Sequence, residues 1–122
     1  MVVAEVILRS KGFTPWQPPA IAIQVDPGGK LFRTHSTLGY EHIPGTFAVT
    51  LGDGFSFNVT HLPNTMRITR PIDTYDREKS KEGIWIFGCS FTHGWSLNDK
   101  ETYPWLLQEQ FPEHDVVNFG VG

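Results

Sequence analysis

The chain has 122 residues, 39% of them apolar and 19% charged, and a formal net charge of −3. That length and composition suit a folded protein with its own core and exclude a disordered chain. The weakly acidic balance, with Lys and Arg scattered, excludes the basic footprint of a nucleic-acid binder.

A single cysteine, Cys89, excludes an intrachain disulfide framework and fits a reducing compartment. Residues 1–9 are largely apolar, but Glu5 interrupts them. They lack the basic flank and small-residue cleavage site of a signal peptide, and no run approaches the ~20 apolar residues of a membrane span. A cytoplasmic protein with no membrane partner is therefore expected. Asn58-Val59-Thr60 matches a glycosylation sequon, a short and common pattern read as chance without a secretion signal.

In chain order, residues 2–9 are read as a first strand. Residues 12–19 contain Pro15, Pro18 and Pro19 and form an irregular crossing. Residues 20–25 are a short apolar strand stopped by Asp26-Pro27-Gly28-Gly29, with residues 30–35 pairing back across that turn. Phe47, Val49 and Leu51 share one face of a strand. Gly52-Asp53-Gly54 supplies a tight turn, and Phe55, Phe57 and Val59 alternate again. Two period-2 stripes joined in this way make a hairpin with one aromatic face. Such a face is read as core in preference to a carbohydrate groove. Met66 and Ile68 continue the alternation in a third strand, with Arg67 pointing away. Seven of the nine prolines and seven of the twelve glycines precede residue 82, which marks residues 1–75 as a β-rich segment. Charged residues 76–83 serve as a linker to residues 84–122.

Ile84-Trp85-Ile86-Phe87 is an uninterrupted apolar run leading into Gly88-Cys89-Ser90-Phe91-Thr92-His93-Gly94. Such a run suits a strand buried on both faces of a parallel sheet. Ligands of open α/β sheets bind beyond the carboxyl ends of these strands, where Ser90 falls. Thr102 caps a helix with Pro104 in its first turn. Tyr103, Leu107 and Phe111, with Leu106 beside them, form its apolar face. Residues 115–119 make a second strand, so strand, helix and strand form a βαβ unit with parallel strands. The first of these strands has little to cover it. An exposed apolar patch or sticky sheet edge is expected near Trp85, Val116 and Val117, allowing self-association.

The histidines, His35, His42, His61, His93 and His114, share no ligand spacing, and no Cys or carboxylate completes a set. No metal site and no cofactor are expected. Cys89 is read as a small buried residue at a strand end.

Residues 88–94 resemble block I of the SGNH (GDSL-type) hydrolases, whose pattern is Gly-Asp-Ser-x-x-x-Gly. Asn98-Asp99-Lys100-Glu101-Thr102-Tyr103-Pro104 resembles the family's next loop and helix, and Val116-Val117-Asn118-Phe119-Gly120-Val121-Gly122 its second strand running into block II. Tyr40-Glu41-His42-Ile43-Pro44-Gly45 and Asn64-Thr65-Met66-Arg67-Ile68 loosely resemble lead-in segments of longer members. Cys89 stands where the family usually has Asp. The block II glycine would fall one position past Gly122, and the oxyanion asparagine and the Asp-x-x-His base pair would lie further on.

The resemblance implies the first βαβ unit of a three-layer α/β domain with a parallel sheet, preceded by the β-rich segment. It further implies ester hydrolysis through Ser90 as nucleophile, with the Ser90 N–H as one oxyanion donor. The substrate would be a small acyl ester or an O-acetylated carbohydrate. With one donor and no oriented base, residues 1–122 are expected to be inactive alone. His93 follows Ser90 by three residues and is the local alternative as base, weighed against a partly exposed loop histidine. The competing class is a non-catalytic β module that binds a glycan or a protein beside a vestigial hydrolase segment.

Overall fold

A computed structural model describes residues 2–14, 20–75 and 82–121. The chain opens with helix α1, Val2–Ser10, where a strand was expected. The reason lies in the spacing: Val3, Val6 and Ile7 recur at three to four residues, and Arg9 pairs with Glu5 one turn away at 2.7 Å. Val3, Val6, Ile7 and Leu8 remain exposed. Pro15, Pro18, Pro19 and residues 76–81 of the linker lie outside the described residues.

Strands β1 (Ile23–Asp26), β2 (Phe32–His35), β3 (Gly39–His42), β4 (Gly45–Leu51) and β5 (Ser56–His61) come next. The turn after β1 forms as read, with Gly28 and Gly29 at positive φ. The expected pairing across it does not. β1 lies antiparallel to β4, Val25 opposite Val49, which brings Val25 against the core. β2 instead pairs with β3 over a tight turn in which His35 Nδ1 accepts from the Thr37 and Leu38 N–H groups. The expected β4–β5 hairpin forms, with Phe47 opposite Val59 and Val49 opposite Phe57. Its inward stripe is core: Leu31, Phe47, Val49, Phe57 and Val59 cluster, with Trp95 packed on them. Phe55, at the tip, is exposed.

The third short strand reduces to isolated bridges of Arg67 with His61 and with Asn118. Arg67 does not point away from the protein. It is 1% exposed, and its bridge to Asn118 ties the β-rich half to the C-terminal half of the chain.

Strand β6 (Gly83–Gly88), helix α2 (Ser90–His93), helix α3 (Tyr103–Gln110) and strand β7 (Asp115–Gly120) complete the chain. β6 and β7 pair in parallel, Ile84 opposite Val116 and Phe87 opposite Phe119, so two parallel strands flank α2 and α3 as expected. Thr102 caps α3 by accepting from Trp105 N–H, with Pro104 in the first turn. The buried face of α3 differs from the expectation: Pro104, Trp105 and Gln108 face inward, while Tyr103, Leu106 and Phe111 are exposed. Gln108 is buried because it is satisfied, donating to the Phe111 and His114 carbonyls and accepting from Val116 N–H. β6 is not buried on both faces: Trp85 is 65% and Phe87 69% exposed. The open patch expected at Trp85 exists, but Val116 is buried and Val117 is half-buried. No helix among the described residues is long and apolar enough to cross a membrane.

Candidate functional site: the Ser90 turn and a buried histidine cluster

Ser90 opens α2 directly after β6, beyond the strand's carboxyl end, and is half-buried. As the first helical residue its N–H has no partner within the helix. Gly94 closes the turn in the left-handed region at φ 86°, and both Gly94 and Trp95 N–H donate to the Ser90 carbonyl at 2.9 Å.

β7 fixes this turn from the side. Asn118 donates to the Thr92 carbonyl at 3.0 Å while its Oδ1 accepts from Gly120 N–H at 2.9 Å. Val121 N–H donates to the Gly88 carbonyl, and Tyr103 donates its hydroxyl proton to Thr92 Oγ1. Gly120 permits the approach, since a Cβ there would sit 2.7 Å from the Thr92 carbonyl carbon.

The Ser90 hydroxyl has no hydrogen-bond partner among the described residues, so its local setting is that of an unactivated alcohol. His93 is not a base for it. Where a partly exposed loop histidine was the alternative, the ring is 0% exposed and points into the protein, with Nε2 2.9 Å from His61 Nε2. Cys89, expected to be buried, is exposed.

The expectation that the histidines share no site is corrected by the fold. His42 from β3, His61 from β5 and His93 from α2 are all buried, and one ligand-capable atom from each lies within 4.8 Å of the others. Their separations in sequence, 19 and 32 residues, carry no local signal. His42 stacks on His61 at 4.4 Å and on His93 at 4.6 Å between ring centroids.

Hydrogen bonding assigns the protons. His61 Nδ1 lies 3.1 Å from the Ile43 carbonyl, which can only accept, so Nδ1 carries the proton and Nε2 is a bare acceptor. His93 Nε2 therefore donates to it, which leaves His93 Nδ1 bare and without a partner. His42 Nε2 also lacks a partner. Burial, then the neighbouring His42, holds His61 down to about 3. Burial, then the Arg67 charge, holds His93 down to about 2. Burial lowers His42 as well, against a hydrogen bond with the Thr65 backbone. All three rings are neutral at pH 7.

Arg67 organises the surroundings. It donates to the carbonyls of His93 and Gly94 at 2.8 and 2.6 Å, of Asn58 at 3.2 Å and of Leu97 at 2.6 Å. Its Nε lies 3.1 Å from Asp99 Oδ1, which also accepts from Thr60 N–H. Asn98 Oδ1 accepts from Asn58 N–H, so side chains of the loop after α2 satisfy the outer edge of β5. The β-rich half is thus bonded to the Ser90 turn, not hung beside it.

Comparison with models of known families, with curated proteins and with solved structures finds no match.

Proposed function

We propose that this chain carries the nucleophile segment of an SGNH-type serine ester hydrolase, with Ser90 as the attacking hydroxyl and its N–H as one oxyanion donor. The observation that supports this is the placement of Ser90. It is the first residue of a helical turn at the carboxyl end of a parallel strand, beside an asparagine-bearing second strand. There the half-buried hydroxyl is free of hydrogen-bond partners among the described residues and the backbone N–H is not consumed by the helix. The substrate class is a small acyl ester or an O-acetylated carbohydrate, and a reducing cytoplasm suits the exposed, unpaired Cys89. Activation of Ser90 requires a base that the described residues do not bring to it, and residues 1–122 alone are expected to turn over no ester.

The competing view of a glycan-binding aromatic face draws little support, because Phe47 and Phe57 are core and only Phe55 is exposed.

The experiment is hydrolysis of an aryl acetate by the product of the whole reading frame. Ser90→Ala is expected to reduce kcat/KM by roughly 10³-fold or more. An unchanged rate would remove Ser90 from the chemistry.

A further inference from the structure

We propose that His42, His61 and His93 form a binding site for one late first-row divalent cation, with zinc as the type case, which clips the β-rich half to the Ser90 turn. The three ligands come from β3, β5 and α2, and their ligand-capable atoms already lie within 4.8 Å of one another. Two independent observations point to a ligand. His42 Nε2 and His93 Nδ1 are buried nitrogens with no partner, a costly state that native interiors avoid. In addition, His61 is anchored through Nδ1 on the Ile43 carbonyl. A backbone carbonyl on one ring nitrogen is the arrangement that orients the other nitrogen toward a metal.

The donor set selects the ion. Neutral imidazoles suit zinc, copper, nickel and cobalt, whereas magnesium and calcium require oxygen ligands. The rings need not lose protons to solvent near neutral pH, because burial already keeps them neutral. Arg67 is the cation that faces the cluster from the 62–75 segment, and Asp99 pairs with it. Its charge weakens the site but does not fill it. Ligation through His93 Nε2 requires its proton to move to the bare Nδ1. The facing His61 and His93 Nε2 atoms, now 2.9 Å apart, must also separate by a few tenths of an ångström so that both reach the ~2.0–2.1 Å of a zinc–nitrogen bond. The His42 ring must also turn out of its stack.

The site is independent of the chemistry at Ser90, so this proposal and the hydrolase reading fail separately. The test is titration of the chelator-treated chain with Co²⁺ and Zn²⁺, followed by cobalt absorption, calorimetry and thermal unfolding. One ion per chain is expected, with the unfolding temperature rising by about 5 °C at saturating zinc. His42→Ala should weaken binding at least tenfold, while His35→Ala and His114→Ala leave it unchanged. The absence of saturable binding, or binding indifferent to His42→Ala, overturns the proposal. Should His42→Ala fail to fold, imidazole nitrogen NMR of the unaltered chain decides. Zinc must shift the ring nitrogens of the three buried histidines, and shifts confined to His35 and His114 overturn it.

Discussion

His61 and His93 share a single proton between facing Nε2 atoms 2.9 Å apart in the protein interior. Because His61 is committed to the Ile43 carbonyl through its other nitrogen, His61 cannot take a second proton without breaking this contact.

A pH dependence results. All three cluster histidines have folded-state values below the ordinary 6.5, so the unfolded chain binds more protons than the folded one below that pH. Stability is flat above pH 6.5 and falls as pH drops below it, continuing toward about pH 3, where His61 titrates in the folded state. The loss is about 1 kcal/mol per pH unit each for His61 and His93, and His42 adds to it in the same direction. Urea unfolding of the chelator-treated chain at pH 8, 6 and 5 measures it. Equal stability at pH 8 and 5 would show that the rings are not held neutral.

Arg67 is fully buried and bonds one carboxylate and four carbonyls. Arg67→Met leaves Asp99 without its partner cation and the carbonyls unpaired, at a cost of about 3–5 kcal/mol. Arg67→Lys keeps the charge but cannot reproduce the fork, and most of that loss remains. Chemical denaturation of both variants provides the measure, and a near-neutral Arg67→Lys would contradict the role given to the fork.

Two glycine substitutions separate strain from collision. Gly54 has φ 86° with nothing within 4 Å of an added Cβ, so Gly54→Ala costs about 1 kcal/mol of backbone strain. An added Cβ at Gly120 meets the α2 backbone at Thr92 and His93. Gly120→Ala must push β7 from the Ser90 turn, at roughly 2 kcal/mol or more. Comparable midpoints for the two variants would mean that β7 and α2 approach each other less closely than these contacts require.

The hairpin was legible because period-2 alternation at Phe47, Val49, Phe57 and Val59 reports directly on a half-buried sheet. The start of α3 was legible through Thr102 and Pro104, whose capping roles are local. What escaped was tertiary. Gln108 is buried because strand β7 and the turn before it offer partners to its amide, and a polar residue in an apolar stripe gives no warning of that. Arg67 looked like an outward residue between Met66 and Ile68, yet it is buried by carbonyls that converge on it from β5, α2 and the loop beyond. The histidine cluster depends on β3, β5 and α2 meeting, which no spacing encodes.

Trp85 and Phe87 stand 65% and 69% exposed on the open side of β6, and Phe87 stacks on Phe119 at 4.6 Å. A two-stranded parallel sheet with one uncovered apolar face predicts association of the chain with itself as concentration rises. Light scattering across a dilution series measures it, and Trp85→Lys with Phe87→Lys should shift the population to monomer. A monodisperse monomer at high concentration without those changes would contradict this.

The role of Ser90 is tested most directly by mapping a fluorophosphonate adduct by peptide mass spectrometry on the product of the whole reading frame. The adduct is predicted on Ser90 Oγ and should disappear in Ser90→Ala, while residues 1–122 alone stay unlabelled. Labelling that persists in Ser90→Ala would contradict the assignment of the nucleophile.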